Sequence, residues 1–276
     1  MGSIYLTWLA DELRAAGCQV HEYDTAWPTR SRSSGGFAAT PLGVSWHHTA
    51  GAVGASAQSE CDYMVKSSDA RPTCNIYVAR DGIVWILAGG ATNTSGKGGP
   101  LTMSRGTVGQ DCANTTTVGM ECGNSGDGRE PWPQIQIDAA FRASNAINAR
   151  LGNQPSDVFS HQCYAPTRKI DPATAAAVQG PWIPRSCTSS GTWDCDDIRA
   201  ECTRRATPQE DEDLTDAQFA DLMDVLSRIA QAQQADFSQD GTFGPKADQA
   251  ISQRSAIYDA LGSIGTKLDR LIELSS

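Results

Sequence analysis

The spacing of apolar and polar positions changes period several times along the chain, and each change marks an element. Over residues 4–16, Tyr5, Leu6, Leu9 and Leu13 fall on one side of a helical period, which Gly17 stops. Residues 18–23 read as a short strand, and residues 29–41 (TRSRSSGGFAATP) as a polar, glycine-rich loop. Residues 42–48 are a short apolar run that predicts a buried strand. A helical pattern returns over 56–67 and ends before Arg71-Pro72. Residues 74–90 (CNIYVARDGIVWILAGG) hold two apolar runs joined at Asp81-Gly82, which predicts a hairpin. A glycine-rich loop over 91–112 precedes a core strand at 116–121, and residues 123–133 are loop. Residues 134–151 form a long helix carrying Ile135, Ala139, Ala143, Ile147 and Leu151. Residues 158–161 end a strand, and a loop runs on to Pro172. Strands alternating with helices predict an α/β fold in which a central mixed sheet is flanked by helices.

Beyond about Pro181 this pattern is lost. Residues 1–180 are expected to be one domain, 181–213 an irregular and acidic linker, and 214–276 a small helical region. Thr215 and Gln218 form a capping-box pair, and Phe219, Leu222, Met223, Leu226 and Ile229 follow as an apolar stripe. After the turn DGTFGP, Ile257, Leu261, Ile264, Leu268 and Leu271 make a short heptad seam. Such a seam serves either packing within the chain or a homo-oligomer, and the helical region serves either oligomerisation or wall binding.

The totals narrow the choice of partners. The 276 residues carry a formal net charge of -10, which argues against nucleic acid as a partner. No apolar run reaches the roughly 18 residues that would span a bilayer, so no membrane insertion is expected. The first residues lack a basic leader and a long apolar core, so no signal peptide is read there. Nine cysteines occur without a CxxC pair, which disfavours a structural zinc knuckle.

Histidine is scarce, with four in the chain, and two of them are adjacent in GVSWHHTAG at 43–51. On a strand His47 and His48 face opposite ways, so they cannot share a role. The stretch HQCYAPTRKID at 161–171 closes a strand with His161 and reaches Asp171 ten residues later. His47, His161 and Asp171 could supply two imidazoles and a carboxylate to a catalytic zinc ion, although spacing alone does not bring His47 to His161.

These stretches resemble the zinc N-acetylmuramoyl-L-alanine amidases of type 2, and most closely the actinobacteriophage endolysins among them, whose fold is shared with peptidoglycan-recognition proteins. The resemblance covers about residues 5–175. It rests on GVSWHHTAG, RDGIVWILAGG from Arg80, VGMECGNSG from Val118, and His161 with APTRKIDP. It implies Zn2+ as cofactor, with His47, His161 and Asp171 as ligands. It implies Glu121 as general base and Lys169 as the charge that faces the oxyanion. It further implies hydrolysis of the amide between N-acetylmuramic acid and L-alanine in bacterial peptidoglycan. An endolysin of this kind is made in the host cytoplasm without a signal peptide and acts on the wall after release. A non-catalytic peptidoglycan-binding module is the alternative, and such modules usually lack a zinc ligand. Two positions depart from the family: Cys74 stands where many relatives have tyrosine, and Thr94 where they have histidine. Cys74 as a thiol nucleophile is a minor alternative.

Overall fold

The computed structural model describes residues 2–173 and 193–207. Its strands are β1 (Val20–Glu22), β2 (Val44–His48), β3 (Ile76–Val78), β4 (Val84–Ile86), β5 (Leu101–Met103), β6 (Gly106–Val108), β7 (Val118–Cys122) and β8 (Val158–Ser160). Its helices are α1 (Leu9–Ala15), α2 (Ala57–Asp62), α3 (Ala113–Thr116), α4 (Gln134–Leu151), α5 (His161–Tyr164) and α6 (Cys195–Ala206), with a π-turn (Tyr63–Ser67) continuing α2. Six strands form one sheet in the order β1-β4-β3-β7-β2-β8, and β5 pairs with β6 as a separate ribbon. Within the sheet β3 and β4 are antiparallel and the other neighbours are parallel. This is the expected mixed sheet flanked by helices.

Alternation along the strands divides the sheet into two chemically distinct faces. Register places Val44, Trp46, Val118, Met120, Ile76, Val84 and Ile86 on one face, and all are essentially fully buried. Leu9 and Leu13 of α1, Ile137 and Phe141 of α4 and Ile198 of α6 belong to the same core. The other face carries His47, Glu121 and Tyr77 side by side, since His47 pairs with Glu121 and Glu121 with Tyr77. There α2 and its π-turn cover Tyr77 with Cys61 and Met64.

Helix α4 buries Ile137, Phe141, Ser144 and Asn148, a stripe of three- and four-residue steps, and ends at Gly152 in the left-handed region. Ile135, expected on the apolar side, is 56% exposed. A strict four-residue step drifts off a 3.6-residue helix, and Ile135 lies at the end that has drifted.

The main departure from expectation lies within residues 181–213. Residues 193–207 are not irregular linker, because they form α6 and its lead-in against the first face. Trp193 packs at a tilt against Trp132, 4.7 Å between ring centroids. Arg199 donates to Val158 O at 3.0 Å, and Asn145 donates to Cys202 O at 2.9 Å. A disulfide joins Cys195 to Cys163 of α5. The helix escapes a hydropathy reading because Cys195, Ile198 and Cys202 are its only buried apolar side chains. The chain divides into two units, Met1–Gln209 and Glu210–Ser276. The second unit lies outside the described residues, as do the heptad seam, the DGTFGP turn and the helices expected over 214–276.

Candidate metal centre

Three elements bring the predicted ligands together. His47 is the fourth residue of β2, and parallel pairing of β2 with β8 sets it beside the start of α5, where His161 stands. Ser160 caps α5 by accepting from Cys163 N–H, which fixes the direction in which His161 leaves the strand. The following loop turns back through Arg168 and Lys169, whose N–H groups both donate to Ala165 O, and Gln162 N–H closes it on Asp171 O at 3.0 Å.

His47 Nδ1, His161 Nδ1 and Asp171 Oδ2 form a nearly equilateral triangle. The sides are 2.9 Å between the imidazoles, 3.0 Å from His47 to Asp171 and 2.9 Å from His161 to Asp171. His47 is 1% exposed, His161 2% and Asp171 7%. Ligands of a tetrahedral zinc ion lie roughly 3.3 Å apart, so a small opening of this triangle admits one.

The proton inventory points the same way. His161 Nε2 lies 2.6 Å from Ser95 O, and a carbonyl oxygen only accepts, so the ring proton belongs on Nε2. That leaves a lone pair on Nδ1, aimed at the carboxylate of Asp171 and at the second imidazole. The three atoms meet at one buried point able to hold a cation. A carbonyl that fixes a histidine in this way is what orients a metal-ligating imidazole. Burial, and then the neighbouring His161, pull the His47 imidazole down to about 4, so at neutral pH the neutral form, the one able to ligate a metal, prevails. Burial works against ionisation of Asp171, but the two imidazoles outweigh it and hold the carboxyl far below its usual range. Among the described residues, this is the cluster of histidine and acidic groups able to hold a metal ion.

Glu121 sits next to His47 across the β2–β7 ladder. Its Oε2 is buried and has no hydrogen-bond partner. Burial pushes the carboxyl well above its usual range, Asp171 pushes it further, and Lys169 pulls it back. Lys169 is half-buried in the loop that delivers Asp171, and its positive charge acts on both Glu121 and His47. His48 turns to the opposite face, where its Nδ1 accepts from Ala173 N–H at 3.0 Å.

The two departures from the family are structurally absorbed. Cys74 is fully buried, its thiol lies 3.5 Å from the Met64 sulfur, and burial raises its pKa far out of the nucleophilic range. Thr94 bonds Thr92 at 2.7 Å and lies over Gly119, where a Cβ would sit 2.0 Å from its hydroxyl. Sequence reasoning missed Ser95, whose carbonyl fixes the tautomer of His161. It also missed Glu60, which accepts from Thr49 and Tyr77. Backbone carbonyls leave no trace in side-chain patterns. Glu60 carried one weak signal, its place on the helix that directly follows HHTAG.

Residues 38–174 match the model of the family described as N-acetylmuramoyl-L-alanine amidase, Amidase_2. That segment contains all five predicted site residues and has the sequence pattern of an N-acetylmuramoyl-L-alanine amidase domain. Among solved structures it is similar to the endolysin N-acetylmuramoyl-L-alanine amidase LysCS from Clostridium intestinale URNW, at 14% identity over 57% of this chain and 88% of that one, with a TM-score of 0.38. It is also similar to the N-acetylmuramyl-L-alanine amidase AmiD from E. coli, at 21% identity over 54% of this chain and 58% of that one, with a TM-score of 0.40. Bumblebee PGRP-SA is similar at 14% identity, over 58% of this chain and 91% of that one, with a TM-score of 0.40. Comparison with curated proteins gives no match. Among the described residues no helix is long and apolar enough to cross a membrane.

Proposed function

We propose that the protein is a zinc-dependent N-acetylmuramoyl-L-alanine amidase acting on bacterial peptidoglycan, in the manner of a bacteriophage endolysin. One observation carries this reading: three buried ligand atoms of His47, His161 and Asp171 converge beside the unpaired carboxyl oxygen of Glu121. A zinc ion bound by the three supplies the Lewis acidity that amide hydrolysis at neutral pH requires. Glu121 then takes a proton from the attacking water and returns it to the leaving amine of L-alanine. Its raised proton affinity suits both halves of that task. Lys169 holds a positive charge facing the oxyanion that develops on the carbonyl. Buried walls around His47 and His161 exclude bulk water from the ligands and strengthen each of these interactions.

Purified cell walls incubated with the protein should release free L-alanine amino termini. Chelation should abolish the release, and zinc should restore it. A folded, zinc-loaded protein that binds walls without releasing amino termini would be a recognition module instead. Metal analysis should find about one zinc per chain. A well-folded His161→Ala variant with unchanged zinc content would overturn the ligand assignment.

A further inference from the structure

A cleft of about 460 Å³ opens beside Glu121, within the range of sites that hold small ligands. Thr49, Gly51, Ser59, Glu60 and Tyr63 line it together with Glu121, and among the described residues no Lys, Arg or His does so. Glu60 is the half-buried carboxylate in its wall. Its Oε1 accepts from Thr49 Oγ1 at 2.5 Å and its Oε2 from Tyr77 Oη at 2.5 Å. Each oxygen of the Glu60 carboxylate is thus held by one hydroxyl. Each oxygen still has a lone pair to offer, since a carboxylate accepts about four hydrogen bonds in all.

The surrounding backbone is shaped around this carboxylate. A Cβ at Gly51 would lie 2.3 Å from Glu60 Oε1, and one at Gly123 3.0 Å from Oε2. Tyr63 stands 61% exposed at the rim, an aromatic face over which an alkyl chain or a cation can lie. A fixed negative charge, a rim aromatic and no cation in the wall together define a pocket for an alkylammonium group.

We propose that Glu60 is a specificity-determining residue whose carboxylate receives the side-chain ammonium of a diamino acid in the stem peptide. The identity of that ligand rests on the amidase reading. Once acetylated on nitrogen and amide-linked through its lactyl carboxyl, the muramic acid carries no ionisable group. The cation therefore comes from the peptide side of the scissile bond, and lysine is the simplest residue that provides it.

The test compares two muramoyl tripeptides that differ only in the third residue, L-lysine in one and Nε-acetyl-L-lysine in the other. With the zinc-loaded full chain, kcat/KM should fall about tenfold on acetylation, with the loss in KM, as expected for one charge-assisted hydrogen bond. In Glu60→Gln the ratio between the two substrates should collapse to about one. Equal kcat/KM on both substrates with the wild-type protein would overturn the proposal, and so would a Glu60→Gln variant that still discriminates. If neither substrate is cleaved, the amidase reading fails, and calorimetric binding of the same two peptides then decides the subsite by itself. Tighter binding of the lysine peptide by the wild type but not by Glu60→Gln supports it. Equal affinities, or no binding of either peptide, overturn it.

Discussion

Asp171 is buried and Glu121 half-buried, and their environments drive the two acids in opposite directions. Asp171 faces two imidazoles and stays ionised, whereas Glu121 faces no donor on Oε2 and binds its proton more tightly than a free carboxylate does. Such a divergence suits the roles proposed for them, Asp171 as ligand and Glu121 as proton carrier. Glu121→Gln should therefore keep its zinc and lose activity on cell walls by about 10²- to 10⁴-fold, in kcat and not in wall binding. Metal analysis beside a turnover assay checks this, and near-normal turnover would send the search for the base elsewhere. Lys169→Ala should likewise keep its metal and slow the chemical step, whereas a loss confined to KM would contradict its role at the oxyanion. The candidate site residues could be picked from the sequence because each sits in a short string with its own chemistry. Their meeting was not legible. His47 and His161 lie 114 positions apart, and the pairing of β2 with β8 closes that distance.

At the level of elements, strong periodicity was readable and weak periodicity was not. The helix over 134–151 matches α4 end to end, since an apolar stripe and Gly152 mark its limits. The helix expected over 4–16 begins only at Leu9, because Ile4 pairs with Phe37 in a bridge that no local pattern announces. Helix α6 was missed, and the fold depends on it. It brings Ile198 and Cys202 onto α4, follows Trp193 onto Trp132, and ties Cys195 to the helix bearing His161. A chain ended at residue 180, where sequence alone sets the domain limit, should thus lose its cooperative melting transition or melt far lower. A chain ended after Gln209 should stay folded and zinc-loaded. Trp193→Ala in the full chain should cost about 3–5 kcal/mol, the usual penalty for deleting a buried tryptophan. Thermal melts of the three proteins separate these outcomes. A stable fragment 1–180 would make α6 an accessory.

For the whole molecule, titration couples the site to folding, and the signs can be worked out group by group. In the metal-free protein the folded His47 titrates near 4, against 6.5 for the unperturbed side chain. Between those values the unfolded chain holds a proton that the folded one refuses, so this group makes stability fall as pH drops from 6.5 towards 4. His48, also lowered by burial, adds to the same slope. Glu121 works the other way. Its folded pKa is raised well above 4.5, so above pH 4.5 the folded protein keeps a proton that the unfolded chain has lost. Its contribution therefore falls as pH rises through that range. Over pH 4.5–6.5 the opposed slopes offset each other, and the chelated wild-type protein should show a shallow dependence of stability on pH. Glu121→Gln removes one side of that balance. Chelated Glu121→Gln should accordingly lose stability on acidification much more steeply than the chelated wild type, by an amount on the order of a few kcal/mol across the window. Zinc should raise the stability of both proteins most at neutral pH, where the imidazoles are free to ligate, and progressively less as acid protonates them. Urea unfolding at half-unit pH steps, with and without zinc, reads all four curves. Parallel slopes for the two chelated proteins would show that Glu121 carries no extra proton in the fold, and would remove the basis for assigning it the proton-carrying role.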